Sequence, residues 1–157
     1  MTPQPLLDLV PVLLAMLASI PIAVVDIRHR RIPDTVVLPA ILAVVVARFL
    51  LGHGVVVILF DLLLGGSAFF VVRLLTRGML GWGDVKYSAL MCVAIGPWGW
   101  FVALALSCVA AGGWYGWLAV RGRALEAIPF APFLVIGLAG GAVVAQMLPF
   151  ATVLRYV

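Results

Sequence analysis

Charge is scarce in this chain. Only 10% of its 157 residues are Asp, Glu, Lys or Arg, 66% are hydrophobic, and the mean hydropathy is +1.27. A soluble domain carries roughly 25% charged residues. No polar stretch is long enough to fold alone, which excludes a soluble domain on an anchor. Cysteine is nearly absent too: Cys92 and Cys108 both sit inside apolar runs without a CxxC partner. Neither a disulfide framework nor a zinc site is expected, and both read as small core residues. His29 and His53 stand alone, without the ligand spacing of a metal hydrolase. No Lys or Arg precedes the first apolar run, and the basic cluster Arg28-His29-Arg30-Arg31 follows it. That order reads as a reverse anchor, not a cleavable signal peptide. The net charge of +4 would suggest a nucleic-acid partner in a soluble protein. Here it is the positive-inside signal of a chain whose surroundings are the lipid bilayer, and no nucleic acid is expected.

What is present is a series of apolar runs of spanning length, about 20 residues each. The expected fold is all-α: one polytopic membrane domain over residues 1–157. Spans are expected at 5–27, with Pro21 loosening the last turn, at 35–51 and at 55–75. Residues 87–120 contain no charge, too long for one span and short for two, and Gly96-Pro97-Trp98-Gly99 interrupts them. A short fourth helix over 84–96 and a full fifth over 98–119 are therefore expected, then a sixth over 129–149. With six spans and both termini outside, Arg28, Arg30, Arg31, Arg73, Arg77, Lys86, Arg121 and Arg123 fall on the inner side, and only Arg48 and Arg155 outside. A five-span count would weaken that bias. Gly112 and Gly116, and Gly137 and Gly141, have the small-xxx-small spacing that lets membrane helices approach closely.

In this setting the acids carry the information. A carboxylate at the edge of hydrocarbon costs about 2.5–3.5 kcal/mol on insertion scales. Asp26, at the end of the first run, and Asp84, opening the fourth within Gly81-Trp82-Gly83-Asp84, fall at the same depth near the inner interface. Each has a modest reading alone: Asp26 as a partner of Arg30 one turn on, Asp84 as a helix N-cap, with Lys86 an interfacial anchor. Together they read as a dyad, one carboxylate ionised and one protonated around a water, which points to peptide-bond hydrolysis. Gly81 and Gly83 leave the backbone bare for another chain to approach. The other acids fit structural roles: Asp61 paired with Arg48 across a hairpin, Asp34 capping the second helix, Glu126 in a solvated loop beside Arg121 and Arg123, and Asp8 near the outer terminus.

Asp26 followed by a basic turn and Ile32-Pro33, then Gly81-Trp82-Gly83-Asp84-Val85-Lys86, then Ile128-Pro129-Phe130-Ala131-Pro132-Phe133, resembles the prepilin peptidases, the GxGD-type intramembrane aspartyl proteases. The motifs run in the family's order over nearly the whole chain. The resemblance implies a catalytic pair at Asp26 and Asp84, with Gly81, Gly83, Lys86, Pro33, Pro129 and Phe130 as supporting motif positions. It implies a plasma-membrane enzyme cutting the short basic leader from a single-span pilin precursor at the cytoplasmic face, without metal or cofactor. Asp34 stands where the family commonly has Asn, and Ala131 where it commonly has Gly. The chain is similar to the short, peptidase-only members, so no methyltransferase activity or S-adenosylmethionine is expected. Two rivals remain from other classes: an ion- or solute-coupled transporter relaying through Asp26, Asp61 and Asp84, and a non-catalytic scaffold. The sequence names neither the pilin nor the oligomeric state.

Overall fold

The computed structural model describes residue 7, residues 9–122 and residues 130–147. Among them are five helical elements: α1 (Leu9–His29), α2 (Asp34–Leu50), α3 (Val55–Leu75), α4 (Trp82–Val120) and α5 (Ala131–Met147). A lipid-facing backbone must satisfy its own amides and carbonyls, so apolar runs of this length become helices. α1, α3 and α4 are long and apolar enough to cross a membrane, and α2 and α5 have 17 residues each. This is a helical membrane protein.

The expected fourth and fifth helices are the two stretches of α4, 39 residues in all, which meet at a kink at Gly96 (φ 75, ψ 170). Unbroken, α4 would measure about 58 Å, nearly twice the hydrocarbon thickness. Gly96 takes a conformation that an L side chain rarely adopts, and Pro97 cannot donate back across the break. Pro21, by contrast, is accommodated within a continuous α1.

The first half of α4 is the core. Tyr87 to Gly96 is buried without interruption, and α3 and α5 pack on either side of it. On the α3 side the approach depends on Gly65, where a methyl would lie 2.6 Å from the Cys92 Cβ and 2.7 Å from the Ser88 carbonyl oxygen. Ser88 Oγ donates to the Gly65 carbonyl at 2.9 Å and accepts the Trp100 indole N–H at 3.0 Å, tying α3 to both sides of the Gly96 break. On the α5 side, a methyl at Gly141 would stand 2.7 Å from the Ala103 Cβ, and one at Gly99 2.8 Å from the Ala145 Cβ. Gly137 and Gly141 thus make the close approach expected of them. Gly112 and Gly116 do not: among the described residues nothing lies within 4 Å of a methyl at either position. Cys92 is buried, but Cys108 is exposed, so it is not the core residue expected.

Of two structural roles assigned to acids, one holds and one does not. Asp61 pairs with Arg48, both almost wholly buried, and Arg48 also donates to the Val93 carbonyl at 2.9 Å. Asp34 does not cap α2. Pro33 occupies the cap position, and Asp34 instead forms an ion pair with Lys86 at 2.6 Å.

Candidate active site

Asp26 projects from the last turn of α1 and is 6% exposed. Its Oδ2 accepts the backbone N–H of Ala131, the first residue of α5, at 2.9 Å. That amide is one of those a helix N-terminus leaves without an intrahelical partner. Arg30 turns out of the helix with φ 52, its amide on the Asp26 carbonyl at 2.8 Å. The Asp26 carboxylate is thus held by an amide 105 positions away in the chain.

Asp84 is the third residue of α4 and not its cap, because the cap position belongs to Gly81. Its Oδ2 accepts the Gly81 amide at 3.2 Å, the acidic half of a capping box. The preceding turn is fixed by Arg73, which donates to the carbonyls of Gly78, at 3.3 Å, and Leu80. Its guanidinium lies 4.8 Å from the centre of the Trp82 ring, and Phe70 stacks on that ring at 5.8 Å. Gly83 is bare for a different reason from the one expected: the space beside it is filled by Ile32 of the same chain, which a methyl would overlap.

These elements enclose an open cavity of ≈ 600 Å³. The end of α1, the Arg30–Pro33 connection, the start of α2 and residues 81–84 form its wall, and both Asp26 and Asp84 line it. Each aspartate lies within the electrostatic field of the other. Pro33, Gly81 and Gly83 line the same cavity, and Lys86 reaches it through its ion pair with Asp34. Phe130 packs against the core beside α5. Pro129, like Asp8, Arg123, Glu126 and Arg155, lies outside the described residues. His29 lines the rim, whereas His53 is buried at the α2–α3 turn with Nδ1 3.1 Å from the Arg48 carbonyl. Among the described residues, no group of three or more His, Cys, Asp and Glu is arranged to hold a metal ion.

Sequence reasoning missed three contributors. Ser19 and Tyr87 share a buried hydroxyl–hydroxyl hydrogen bond of 2.6 Å, joining α1 to α4 two turns from the cavity. Their spacing held the signal: Ser19 is seven residues before Asp26, on the same helix face, and Tyr87 is three after Asp84. The Arg73–Trp82 clamp could have been read from an Arg and a Trp flanking a glycine-rich turn. The Ala131 amide had no signal in side-chain identity at all.

The arrangement is a water-accessible cleft with two acids brought together from different helices. No curated protein and no solved structure matches the chain. The model of the type IV leader peptidase family matches residues 12–116, from α1 through most of α4 and across both aspartates, with the Pro-Phe segment before α5 beyond it. The chain belongs to the type IV leader peptidase family.

Proposed function

We propose that this chain is an intramembrane aspartic endopeptidase that removes the short basic leader from type IV pilin-like precursors, with Asp26 and Asp84 as its catalytic pair. The observation that carries the reading is that these two acids, 58 positions apart in sequence, line one open cavity. Two like charges in one site favour a single shared proton. One carboxylate takes a proton from the attacking water, and the other gives a hydrogen bond and then a proton to the scissile carbonyl. No covalent intermediate, metal or cofactor enters. Which acid is base is a property of the pair.

With α4 counted as two helices about Gly96, the chain has six spans and both termini outside. The cavity then opens at the cytoplasmic face of the plasma membrane, the side that collects eight of the ten basic residues. A single-span precursor would lie beside the bundle with its leader in the cleft. The transporter reading loses its relay, because Asp61 is ion-paired to Arg48 and does not line the cavity.

Co-expression with a pilin precursor of the same secretion system tests this on a gel. Wild type should produce a leader-sized mobility shift, while Asp26→Ala and Asp84→Ala should produce none and still reach the membrane. Processing that survives in either variant removes that residue from the pair.

A further inference from the structure

The segment that opens α5 contributes no side chain to the chemistry proposed above, yet its first amide ends on Asp26. We propose that the backbone N–H of Ala131 is a positioning group for the reaction: it sets Asp26 against Asp84, with α5 as the spacer that references α1 to α4. The proposal rests on the reading of Asp26 and Asp84 as the catalytic pair.

Three observations support it. The hydrogen bond joins residues 105 positions apart, at 2.9 Å, between groups that are 6% and 0% exposed. Hydrogen bonds to charged groups in such surroundings are the strong ones. Next, α5 has no slack on α4. Gly137 and Gly141 bring the two backbones so close that a methyl on either would overlap α4, at Ala103 and Ser107 or at Gly99 and Ala103. A displacement of α5 therefore means repacking it against the stretch of α4 past Gly96, which Trp100 ties to Ser88 on the Asp84 side of the break. Third, an Asp side chain has two torsions, and anchoring Oδ2 on a buried amide fixes both. Asp26 so held lines the cavity that Asp84 also lines. A cap that served only the helix would stabilise α5 and leave turnover alone; a positioning group controls turnover.

The direct test replaces Ala131 with its α-hydroxy analogue, lactic acid, by nonsense suppression, which deletes the N–H and changes nothing else in shape. Ala131→Pro deletes the same N–H genetically, and proline is accepted at a first helical position. Ala131→Gly keeps the amide. Processing of a pilin precursor should show kcat reduced about 10- to 100-fold in the ester and proline variants, with KM within about threefold of wild type. Ala131→Gly should keep kcat within about threefold of wild type. Wild-type kcat in the ester variant overturns the proposal, as does an equal kcat loss in Ala131→Gly. Asp26→Ala and Asp84→Ala run beside them separate the two levels. If both are inactive while the ester variant is fully active, only the positioning role fails. If either stays active, the pair itself is wrong and the positioning role falls with it.

Discussion

Gly83→Ala adds one methyl at the point where α4 meets the turn between α1 and α2. The added carbon would overlap the Ile32 Cβ and stand 3.2 Å from both Ile32 Cγ1 and Cγ2. Neither side yields easily. Ile32 is followed by Pro33, whose ring fixes its own φ and restricts the residue before it. α4 is held at this end by the Arg73 clamp and the Lys86–Asp34 ion pair. Overpacking of this kind costs about 1–3 kcal/mol. Exchanging Gly for Ala inside a helix returns up to about 1 kcal/mol. Stability should therefore fall by no more than about 3 kcal/mol. Activity should fall further, because the strain is relieved by moving the α4 N-terminus, and Asp84 is the next residue. A shift on the order of 1 Å in a catalytic group costs about 100-fold. The measurement is kcat for precursor processing in detergent, with thermal unfolding of the same preparation. Gly83→Ala should lose 10- to 100-fold in kcat with a small change in melting temperature. Ile32→Gly in the same background removes the obstructing atoms and should restore most of the turnover, while Ile32→Ala leaves Cβ and should restore less. Wild-type turnover in Gly83→Ala would refute the idea that the second glycine of the motif sets the distance between the two acids.

The remaining predictions concern the supports around the site. Gly81→Ala puts a methyl 3.0 Å from Asp84 Oδ2, at a cap with φ −69 that alanine adopts freely, so the loss of kcat should be smaller than at Gly83. Arg48→Ala breaks a buried ion pair and should cost about 3–5 kcal/mol in thermal or denaturant unfolding, whereas Arg48→Met with Asp61→Leu should recover most of it; equal stability of single and double variants would count against the pair. Lys86→Ala removes an ion pair that is partly exposed, worth about 0–1 kcal/mol, so processing should fall less than tenfold. A charge exchange, Lys86→Asp with Asp34→Lys, should outperform either single change; if it does not, the pair does not act as one. Arg121→Ala loses a cation–π contact to Trp117, at 4.1 Å on an exposed surface, and should leave processing near wild type.

Helix existence was readable from this chain because hydrocarbon leaves an apolar run few alternatives. The third helix, expected over 55–75, is α3 residue for residue. The interruption at Gly96-Pro97 was equally legible, since glycine followed by proline is a local signal. What the sequence could not display was how tight the break is: Gly96 alone separates the two helical stretches of α4. Capping roles shifted for a related reason. Asp34 and Asp84 both have the chemistry of an N-cap, but Pro33 and Gly81 take the cap positions. That placement frees Asp34 for Lys86 and turns Asp84 into an acceptor for the Gly81 amide. The acids that form the candidate site were found from their scarcity and depth. Their partners were not, because an amide donor such as that of Ala131 has no residue type.

The two glycine pairs show where pattern ends and packing begins. Gly112 and Gly116 have the same spacing as Gly137 and Gly141, and by spacing alone both pairs are helix-packing faces. Among the described residues only the second pair is used, and the difference lies in what faces each. Gly137 and Gly141 meet Gly99, Ala103 and Ser107, a row of small residues spaced four apart on α4, so two small faces close on each other. Gly112 and Gly116 lie farther along α4, past the Ser107–Gly137 contact, and among the described residues nothing faces them within 4 Å. The consequence bears on the site. The two helices run antiparallel here: Gly99 meets Gly141 and Ala145, and Ser107 meets Gly137, so the contact runs from the Gly96 break toward the α5 N-terminus. The α5 N-terminus is thereby seated at the end of α1, where its first amide meets Asp26. A leucine at Gly141 should therefore lower processing without touching either acid, and a leucine at Gly116 should not. Equal processing by the two variants would mean that the seating of α5 has no bearing on the carboxylates.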